Sequence, residues 1–143
     1  MSIKQLSVFA ENKPGAVAQI TDVLSENSID MRAMNIADTQ DFGILRMIVS
    51  DTEKARLALT ERRCVVSVTD VVCVEMPDRP GALGNIIKLL AENSVNIEYM
   101  YAFIAVSRNH AYVVFRVSDN AKTEALLTDN GLKLASEEDI SAL

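Results

Sequence analysis

The sequence predicts an α+β fold in which two small domains repeat the same order of elements, βαββαβ. Three observations support this prediction: a long internal repeat, matching helix and strand patterns in both copies, and the absence of a flexible linker between them. The first domain is expected over residues 1–69 and the second over residues 70–143. Because only Thr69-Asp70 separates the last strand of one copy from the first strand of the next, we expect the two halves to hold a fixed relative geometry.

The internal repeat is clearest around two Pro-Gly turns. With an offset of 66 positions, nine of the 21 residues from Pro14 to Met34 are identical to those from Pro80 to Met100. Chance would give about one or two identities at average residue frequencies. Later in each copy the offset is 68, so the second copy carries two extra residues in an intervening turn. A repeat of this length, present twice, indicates two similar domains rather than a solenoid.

The elements of each copy follow from local patterns. Apolar residues from Val17 to Leu24 have helical spacing, and Asp51 is of a type favoured as a helix N-cap. The first copy is predicted to place its strand, helix, two strands, helix and strand at residues 3–10, 16–27, 29–37, 43–50, 51–63 and 64–68, with the turn DTQD between the middle strands. The second copy repeats this order at residues 71–75, 81–93, 95–106, 111–117, 122–130 and 132–135. Right-handed crossovers put both helices of a copy on one face of a four-stranded antiparallel sheet, which is a ferredoxin-like arrangement.

One strand of the second copy is apolar on both faces. Tyr99, Tyr101 and Phe103 alternate with Met100, Ala102 and Ile104. Only one face can meet the helices, and a sheet face in water normally carries polar residues. The other face therefore requires a cover, either the sister domain's sheet or a second subunit, and a homodimer is expected.

Composition excludes several classes of protein. The chain is 49% hydrophobic and 24% charged, which is typical of a globular protein, and its net charge of −6 argues against nucleic acid and anionic membranes as partners. No apolar stretch is long enough to span a bilayer, and no signal peptide is evident, so a cytoplasmic location is expected. Cys64 and Cys73 are interpreted as thiols that fill strand positions.

Residues typical of catalysis are missing from the sequence. His110 is predicted to lie in a surface turn, without an obvious cysteine or carboxylate partner, whereas metal and nucleophile sites need clustered ligands or a positioned base. Neither a Walker nor a dinucleotide-binding glycine pattern is present. No cofactor or metal is expected. A small enzyme that uses a carboxylate pair is the least favoured hypothesis.

The two Pro-Gly turns, ENKPG and PDRPG, are the candidate functional elements. Each leads from a strand into the amino end of a helix, where free backbone N–H groups attract a carboxylate. Asn12 and Asp78 lie two residues before the proline of each turn and could cap the helix or face a ligand. Asp30 and Asn96 begin the next strand and could be solvated strand ends or ligand contacts.

These residues resemble the ACT family of ligand-binding regulatory domains. The resemblance covers nearly the whole chain and rests on the turns NKPG and DRPG, the repeated helix end L-x-E-N-S, and the following I-D-M or V-N-I. The stretches VFAENKPG, FGILR, DVVCVEMPDRPGALG and NIEYMYAF look like stand-alone tandem ACT proteins that carry no enzyme domain. The resemblance implies that an amino acid binds at an interface between two ACT domains.

The resemblance also implies specific roles for two asparagines. In serine-regulated phosphoglycerate dehydrogenases, an asparagine before the Pro-Gly turn works with another at the head of the second strand of the facing domain. Asn12 and Asn96 match these roles, whereas Asp78 and Asp30 depart from them. Ala10 and Met76 stand where that family has a histidine, which favours a ligand less polar than serine. The Asn12–Asn96 pair is therefore expected to form the better site.

The sequence thus predicts an amino-acid sensor without catalytic activity, which signals to a separate partner enzyme or through its own assembly. The alternative is a structural or regulatory subunit that associates with a partner enzyme and binds no ligand. The candidate ligand-binding residues lie in the two turns, the helix starts and the following strands: Asn12, Lys13, Pro14, Gly15, Ala16, Val17, Asp30, Asp78, Arg79, Pro80, Gly81, Ala82, Leu83 and Asn96.

Overall fold

The structure, a computed structural model, describes residues 2–38, 42–104 and 109–143. The chain divides into two compact units. The first unit comprises Lys4–Thr69, and the second comprises Asp70–Leu143 together with Met1–Ile3. Each unit contains the elements of one sequence repeat.

The first unit has a sheet in the order β2-β3-β1-β4, with antiparallel β1–β3 and β2–β3 pairs. Its helices α1 and α2 connect the strands in the predicted order. The bounds are β1 Ile3–Glu11, α1 Ala16–Glu26, β2 Met31–Asp38, β3 Phe42–Val49, α2 Thr52–Glu61 and β4 Val66–Pro77. The predicted DTQD turn falls largely on residues outside the described part of the chain.

The core of the first unit shows why both helices lie on one face of the sheet. Alternate residues of β1, such as Leu6 and Val8, pack with Leu24 of α1 and Leu59 of α2 in one buried cluster. Since successive strand residues point to opposite faces, a single cluster that holds both helices places them on the same side. The predicted layering is confirmed.

The second unit repeats this arrangement, with strand order β5-β6-β4-β7. Phe115 and Val74 of the sheet pack with Leu90 and Leu127 of the two long helices. The bounds are α3 Ala82–Glu92, β5 Ile97–Ala102, β6 His110–Val117, α4 Asn120–Asp129, β7 Lys133–Leu134 and α5 Glu137–Ser141. Both units therefore have the predicted α+β, ferredoxin-like topology.

Repeated polar residues of the two copies have repeated structural roles. Asp51 caps α2 through the N–H of Lys54 at 3.1 Å, as predicted, and Asp119 caps α4 through the N–H of Lys122 at 3.0 Å. The asparagine of each E-N-S segment donates from its side chain to a carbonyl four residues earlier, at 2.8 Å in the first copy and 2.9 Å in the second. These capping bonds explain part of the identity between the copies.

Three expectations about the elements are wrong. The strands predicted on either side of Thr69-Asp70 form one continuous strand, β4. Thr69-Asp70 was predicted to separate two strands, but Thr69 is half-buried and Asp70 exposed, and such strand positions accept polar side chains. His110 is the first residue of β6 rather than a turn residue. The second β-strand of the second copy was predicted to reach Val106, but β5 ends at Ala102, and residues 105–108 lie outside the described residues.

The short helix α5 was missed by the sequence analysis. Ser136 and Asp139 form a capping box at its start, and Ile140 is only 1% exposed. The charge of Asp139 acts on Cys73 and Tyr112. Because side chains alternate along β4 and β6, Cys73 and Tyr112 lie on the face of the sheet opposite α3 and α4, and α5 therefore lies beside that face. We call the face that α3 and α4 do not cover the helix-free face of the second unit; it comprises Val71, Cys73, Tyr101, Phe103, Tyr112 and Val114.

The helix-free face of the second unit is well covered within the chain. Tyr101 is 8% exposed and Phe103 9% exposed, and the Phe103 ring meets the Tyr112 ring edge-on with centroids 5.4 Å apart. The need for a cover on this apolar strand face, inferred from the sequence, is thus met in a single chain. Burial also raises the pKa of the Cys73 thiol, and the nearby carboxylates of Asp139 and Glu75 add to this effect.

The N-terminal residues of the second unit join it through contacts that are distant in sequence. Ser2 Oγ donates to Glu124 Oε1 at 2.6 Å and accepts from Asn120 Nδ2 at 3.3 Å. Asn120 Nδ2 also donates to the carbonyl of Asp70 at 3.0 Å, and Ile3 is fully buried. The second unit is therefore built from two separate stretches of the chain.

Candidate functional site

The two Pro-Gly turns have the same backbone geometry. Gly15 has φ +87° and Gly81 has φ +89°, a left-handed conformation that favours glycine, and each is the N-cap of the helix that follows. Neither helix has a side-chain cap. Asn12 and Asp78 therefore do not cap the helices. The N–H groups of Ala16 and Ala82 donate to the Lys13 and Arg79 carbonyls at 3.3 Å, and the other first-turn N–H groups remain available to a ligand or to water.

The residues after each turn can offer only their backbone to a ligand. Ala16 and Ala82 are each 8% exposed, and Val17 and Leu83 pack against the cores of their units. The prolines and glycines of the turns are exposed. Val17 and Leu83 can thus contribute N–H donors and not side chains, whereas the N–H groups of Ala16 and Ala82 are already bonded.

The two strand-head candidates differ in their surroundings. The carboxylate of Asp30 accepts a hydrogen bond from the Arg32 guanidinium, and its own N–H donates to Ser50 Oγ at 2.9 Å. Asn96 is exposed, and its side chain forms no comparable hydrogen bonds among the described contacts. Asn12 belongs to the first unit and Asn96 to the second, and their pairing across one site stays a prediction.

A cavity of about 540 Å³ lies beside the second Pro-Gly turn, within the second unit. Its apolar wall is on the helix side of the sheet, where Met76 of β4 faces Ala82, Ile86 and Leu89 of α3. Strand β7 pairs with β4 only at Val74 and Glu75, so the edge of β4 beyond Glu75 has no partner strand on that side among the described residues. The cavity opens there. The full lining is Glu75, Met76, Pro77, Arg79, Ala82, Asn85, Ile86, Leu89, His110, Asn130, Gly131, Leu132 and Lys133.

Charged groups border this cavity at the sheet edge. Lys133 Nζ lies 2.8 Å from Glu75 Oε2, and His110 Nε2 lies 3.9 Å from Glu75 Oε1. The hydrogen bond and charge of Glu75 raise the pKa of Lys133. Because Glu75 pairs with both Tyr112 and Lys133 across the sheet, its side chain lies on the helix-free face. His110 thus has a carboxylate neighbour, which the sequence analysis did not find.

Only some of the sequence candidates line the cavity. Arg79 and Ala82 do so, whereas Asp78, Pro80, Gly81 and Leu83 belong to the adjoining turn and helix start. The analysis missed Glu75 and Lys133, although Glu75 is the one charged residue in the apolar stretch VVCVEM. It also missed Asn85, His110 and Asn130, for which no local pattern is distinctive.

The corresponding groove of the first unit contains a cavity of about 290 Å³. Its lining residues Gln19, Val23, Arg62 and Cys64 match Asn85, Leu89, Asn130 and Leu132 of the second unit at the repeat offsets. An ion pair between Arg62 and Glu26 borders it. The same groove therefore has different chemistry in the two units.

Metal-binding clusters and membrane-spanning helices are both missing from the described part of the chain. Residues 2–38, 42–104 and 109–143 contain no group of three or more histidine, cysteine or carboxylate side chains placed to hold a metal ion. Among the helices of these ranges, none has the length and apolarity required to cross a membrane.

Comparison with known proteins identifies the family. A crystal structure of a protein from Bacteroides thetaiotaomicron is 41% identical and has a TM-score of 0.92, covering 100% of this chain and 98% of that one. The regulatory subunit of aspartate kinase from Thermus thermophilus has the same fold, with 17% identity, a TM-score of 0.66 and 87% coverage of both chains. Its counterpart from Thermus flavus gives 18% identity and a TM-score of 0.59, covering 87% of this chain and 88% of that one.

Comparison with curated proteins and comparison with family models give different results. No curated protein matches the chain. The family model described as ACT domain pair, however, matches residues 1–143. The resemblance inferred from the repeated Pro-Gly turns is thereby confirmed, and the chain belongs to the ACT domain pair family.

Proposed function

We propose that this chain is a non-catalytic regulatory protein that binds an amino acid in the cavity beside the second Pro-Gly turn. The observation that carries the proposal is the cavity itself, which combines an apolar wall, a cationic rim and helix-start N–H groups. Its volume of about 540 Å³ lies within the range of about 300–1,000 Å³ usual for small-molecule sites.

The lining suits the parts of an apolar amino acid. The Arg79 guanidinium and the first-turn N–H groups of α3 are donors for a carboxylate. The amide oxygens of Asn85 and Asn130 are acceptors for an ammonium group. Met76, Ile86 and Leu89 supply the apolar surface for a side chain. This arrangement favours a ligand less polar than serine.

The proposed output is regulatory because the family and its structural relatives are regulatory. The Thermus proteins of the same fold are regulatory subunits of aspartate kinase. For this chain we propose that occupancy of the cavity acts on a separate enzyme or on the chain's own assembly. A ligand can do this only if it binds two states with different affinity.

The first prediction is that at least one of the twenty common amino acids stabilises the protein against thermal unfolding. At about 100 times its dissociation constant, the ligand should add about 2.7 kcal/mol to the free energy of unfolding. Thermal scans with each amino acid, followed by calorimetric titration of those that raise Tm, would measure this. Nucleotides serve as controls and should leave Tm unchanged. A flat response to all twenty amino acids would contradict the proposed function.

The competing placement of the site pairs Asn12 with Asn96 from facing domains. In that case Asn12→Ala should weaken binding substantially, whereas Asp78→Ala should leave it almost unchanged. The cavity beside Arg79 favours the second unit instead. Calorimetry on Asn12→Ala and Arg79→Gln in parallel separates the two placements, because each variant removes a contact from one of them only.

The alternative function, a subunit that associates without a ligand, is favoured by an apolar patch on the first unit. Phe9 is 44% exposed, and its strand neighbours Ile44 and Val65 are 38% and 70% exposed. At the matching positions the second unit has Glu75, Tyr112 and Lys133. Exposed apolar groups that cluster in this way are typical of association surfaces.

The second prediction is that the protein is a homodimer in solution. Burial of the patch formed by Phe9, Ile44 and Val65 against a second copy would remove its apolar surface from water. Light scattering at micromolar concentration should give twice the chain mass of 15.7 kDa. Phe9→Ser should shift the equilibrium towards monomer. A mass of one chain at all concentrations would rule out the dimer.

A further inference from the structure

The two Pro-Gly turns carry a cation at the same position, and these cations differ in their surroundings. Lys13 in the first turn and Arg79 in the second are 66 positions apart, the offset of the repeat. Lys13 Nζ lies 2.8 Å from Glu11 Oε2. The hydrogen bond from Lys13 and then its charge lower the pKa of Glu11, which keeps that carboxylate ionised at neutral pH.

The counter-ion of the first turn has no counterpart in the second. Position 77, which matches Glu11, is a proline and carries no charge. Within the part of the chain that the structure describes, the Arg79 guanidinium has neither an ion-pair nor a hydrogen-bond partner, although it lines the cavity of the second unit. Each turn thus contains one acidic and one basic residue, but Glu11 and Lys13 form an ion pair in the first turn, whereas Asp78 and Arg79 form none among the described contacts of the second.

We propose that Arg79 binds the carboxylate of the ligand, and that the replacement of Glu11 by Pro77 in the second copy is what makes this cation available. The inference rests on the proposed function and adds to it the reason why Arg79, and not Lys13, is available for the ligand carboxylate. The ligand must carry a free carboxylate, and the second turn, not the first, is the carboxylate site of the chain.

Physical chemistry supports the choice of Arg79. A guanidinium presents paired N–H donors that match the two oxygens of a carboxylate, whereas an ammonium acts as a point charge. The first-turn N–H groups of α3, left uncapped at Gly81, add donors beside it. In the first turn a ligand carboxylate would have to compete with Glu11, which is tethered two residues from Lys13 and is always present at high local concentration.

Neither of the two nearby carboxylates forms an ion pair with Arg79 among the described residues. Asp78 is its neighbour in sequence but does not line the cavity. The Glu75 carboxylate is paired with Lys133 on the helix-free face, and its side chain is 17% exposed. The formal charges of the lining residues Glu75, Lys133 and Arg79 sum to +1, and the Asp78 carboxylate next to Arg79 in sequence balances that charge. The unpaired Arg79 guanidinium in the lining, rather than a net positive charge, therefore favours an anionic group on the ligand.

The test uses the full chain and the amino acid that raises Tm most in the screen. Two variants act on the second turn: Arg79→Gln removes the cation, and Pro77→Glu restores the counter-ion found in the first turn. Lys13→Gln and Glu11→Gln make the matched changes in the first turn. Loss of a charge-assisted hydrogen bond typically weakens binding about tenfold or more, so calorimetry should show this loss for Arg79→Gln and Pro77→Glu. The first-turn variants should bind as the wild type does.

A ligand analogue gives a second measurement that does not depend on any variant. The carboxamide of the same amino acid should bind at least about tenfold more weakly to the wild type, and the Arg79→Gln variant should no longer distinguish amide from acid. Arg79 and Pro77 are exposed, so circular dichroism and Tm without ligand should match those of the wild type.

The outcomes separate this inference from the proposed function. If the wild type binds no amino acid, both are wrong. If it binds one, but Arg79→Gln and Pro77→Glu keep wild-type affinity, Arg79 does not bind the carboxylate; amino-acid binding then stands, and its placement in this cavity loses the support of Arg79. An equal loss from Lys13→Gln and Arg79→Gln would overturn the distinction between the turns.

Discussion

Replacement of Phe115 by alanine is expected to lower the free energy of unfolding by about 3–5 kcal/mol, the cost typical of removing a buried phenyl ring. Phe115 is fully buried in the middle of β6, where Val72 and Met100 are its neighbours on the adjacent strands. The ring belongs to the core between the sheet and helices α3 and α4. Its loss leaves a cavity that the surrounding strands cannot fill, because their positions are set by hydrogen bonds.

Phe9→Ala provides the matched control for this prediction. It removes the same ring from a position that is 44% exposed, so the loss should be a fraction of that for Phe115. Urea unfolding followed by circular dichroism would measure both, at several protein concentrations to separate association from stability. Equal losses for the two phenylalanines would contradict the assignment of the second core.

Replacement of Ile140 by alanine is expected to cost about 2–5 kcal/mol, because it removes the one buried apolar side chain of helix α5. The same change should increase the reactivity of Cys73. That thiol is buried, and the charge of Asp139 in α5 helps to raise its pKa, which places it beside this helix. When α5 detaches more often, the thiol meets reagent more often.

The measurement combines urea unfolding with the rate of thiol labelling. Cys64→Ser in the background leaves Cys73 as the only thiol. Leu143→Ala is the control, because it lies just beyond α5 and is 38% exposed. It should change neither stability nor labelling appreciably. Unchanged labelling in Ile140→Ala, despite lower stability, would show that α5 does not shield Cys73.

Much of the fold could be predicted because the sequence contains the same pattern of helices and strands twice. Helix α1 was predicted from the spacing of Val17 to Leu24, and its repeat in α3 excluded coincidence. Helix α5 could not be found by periodicity, since five residues with one buried side chain contain no period. Its one local signal is Ser136 with Asp139 three residues later, a weak form of the capping box.

The candidate site was predictable only in part. The Pro-Gly turns are contiguous in sequence, and their recurrence pointed to the region in which Arg79 lies. The pairing of Glu75 with Lys133 depends on the register of β4 and β7, which no short stretch of sequence reveals. In the same way Asp30, a candidate ligand contact, is bound by Arg32 two residues later. Contacts that depend on strand register, or on which of several side chains binds a given residue, can be identified only in the folded chain.

The contacts of Ser2 and Ile3 have a consequence for synthesis on the ribosome. Residues 4–69 form a complete unit that can fold as soon as they have emerged. Ser2 leaves the ribosome earlier, yet its partners Asn120 and Glu124 follow 118 and 122 positions later. Closure of so long a loop comes late in folding. The nascent chain must therefore keep these residues unpaired through most of translation, and the second unit is completed only when both stretches are present.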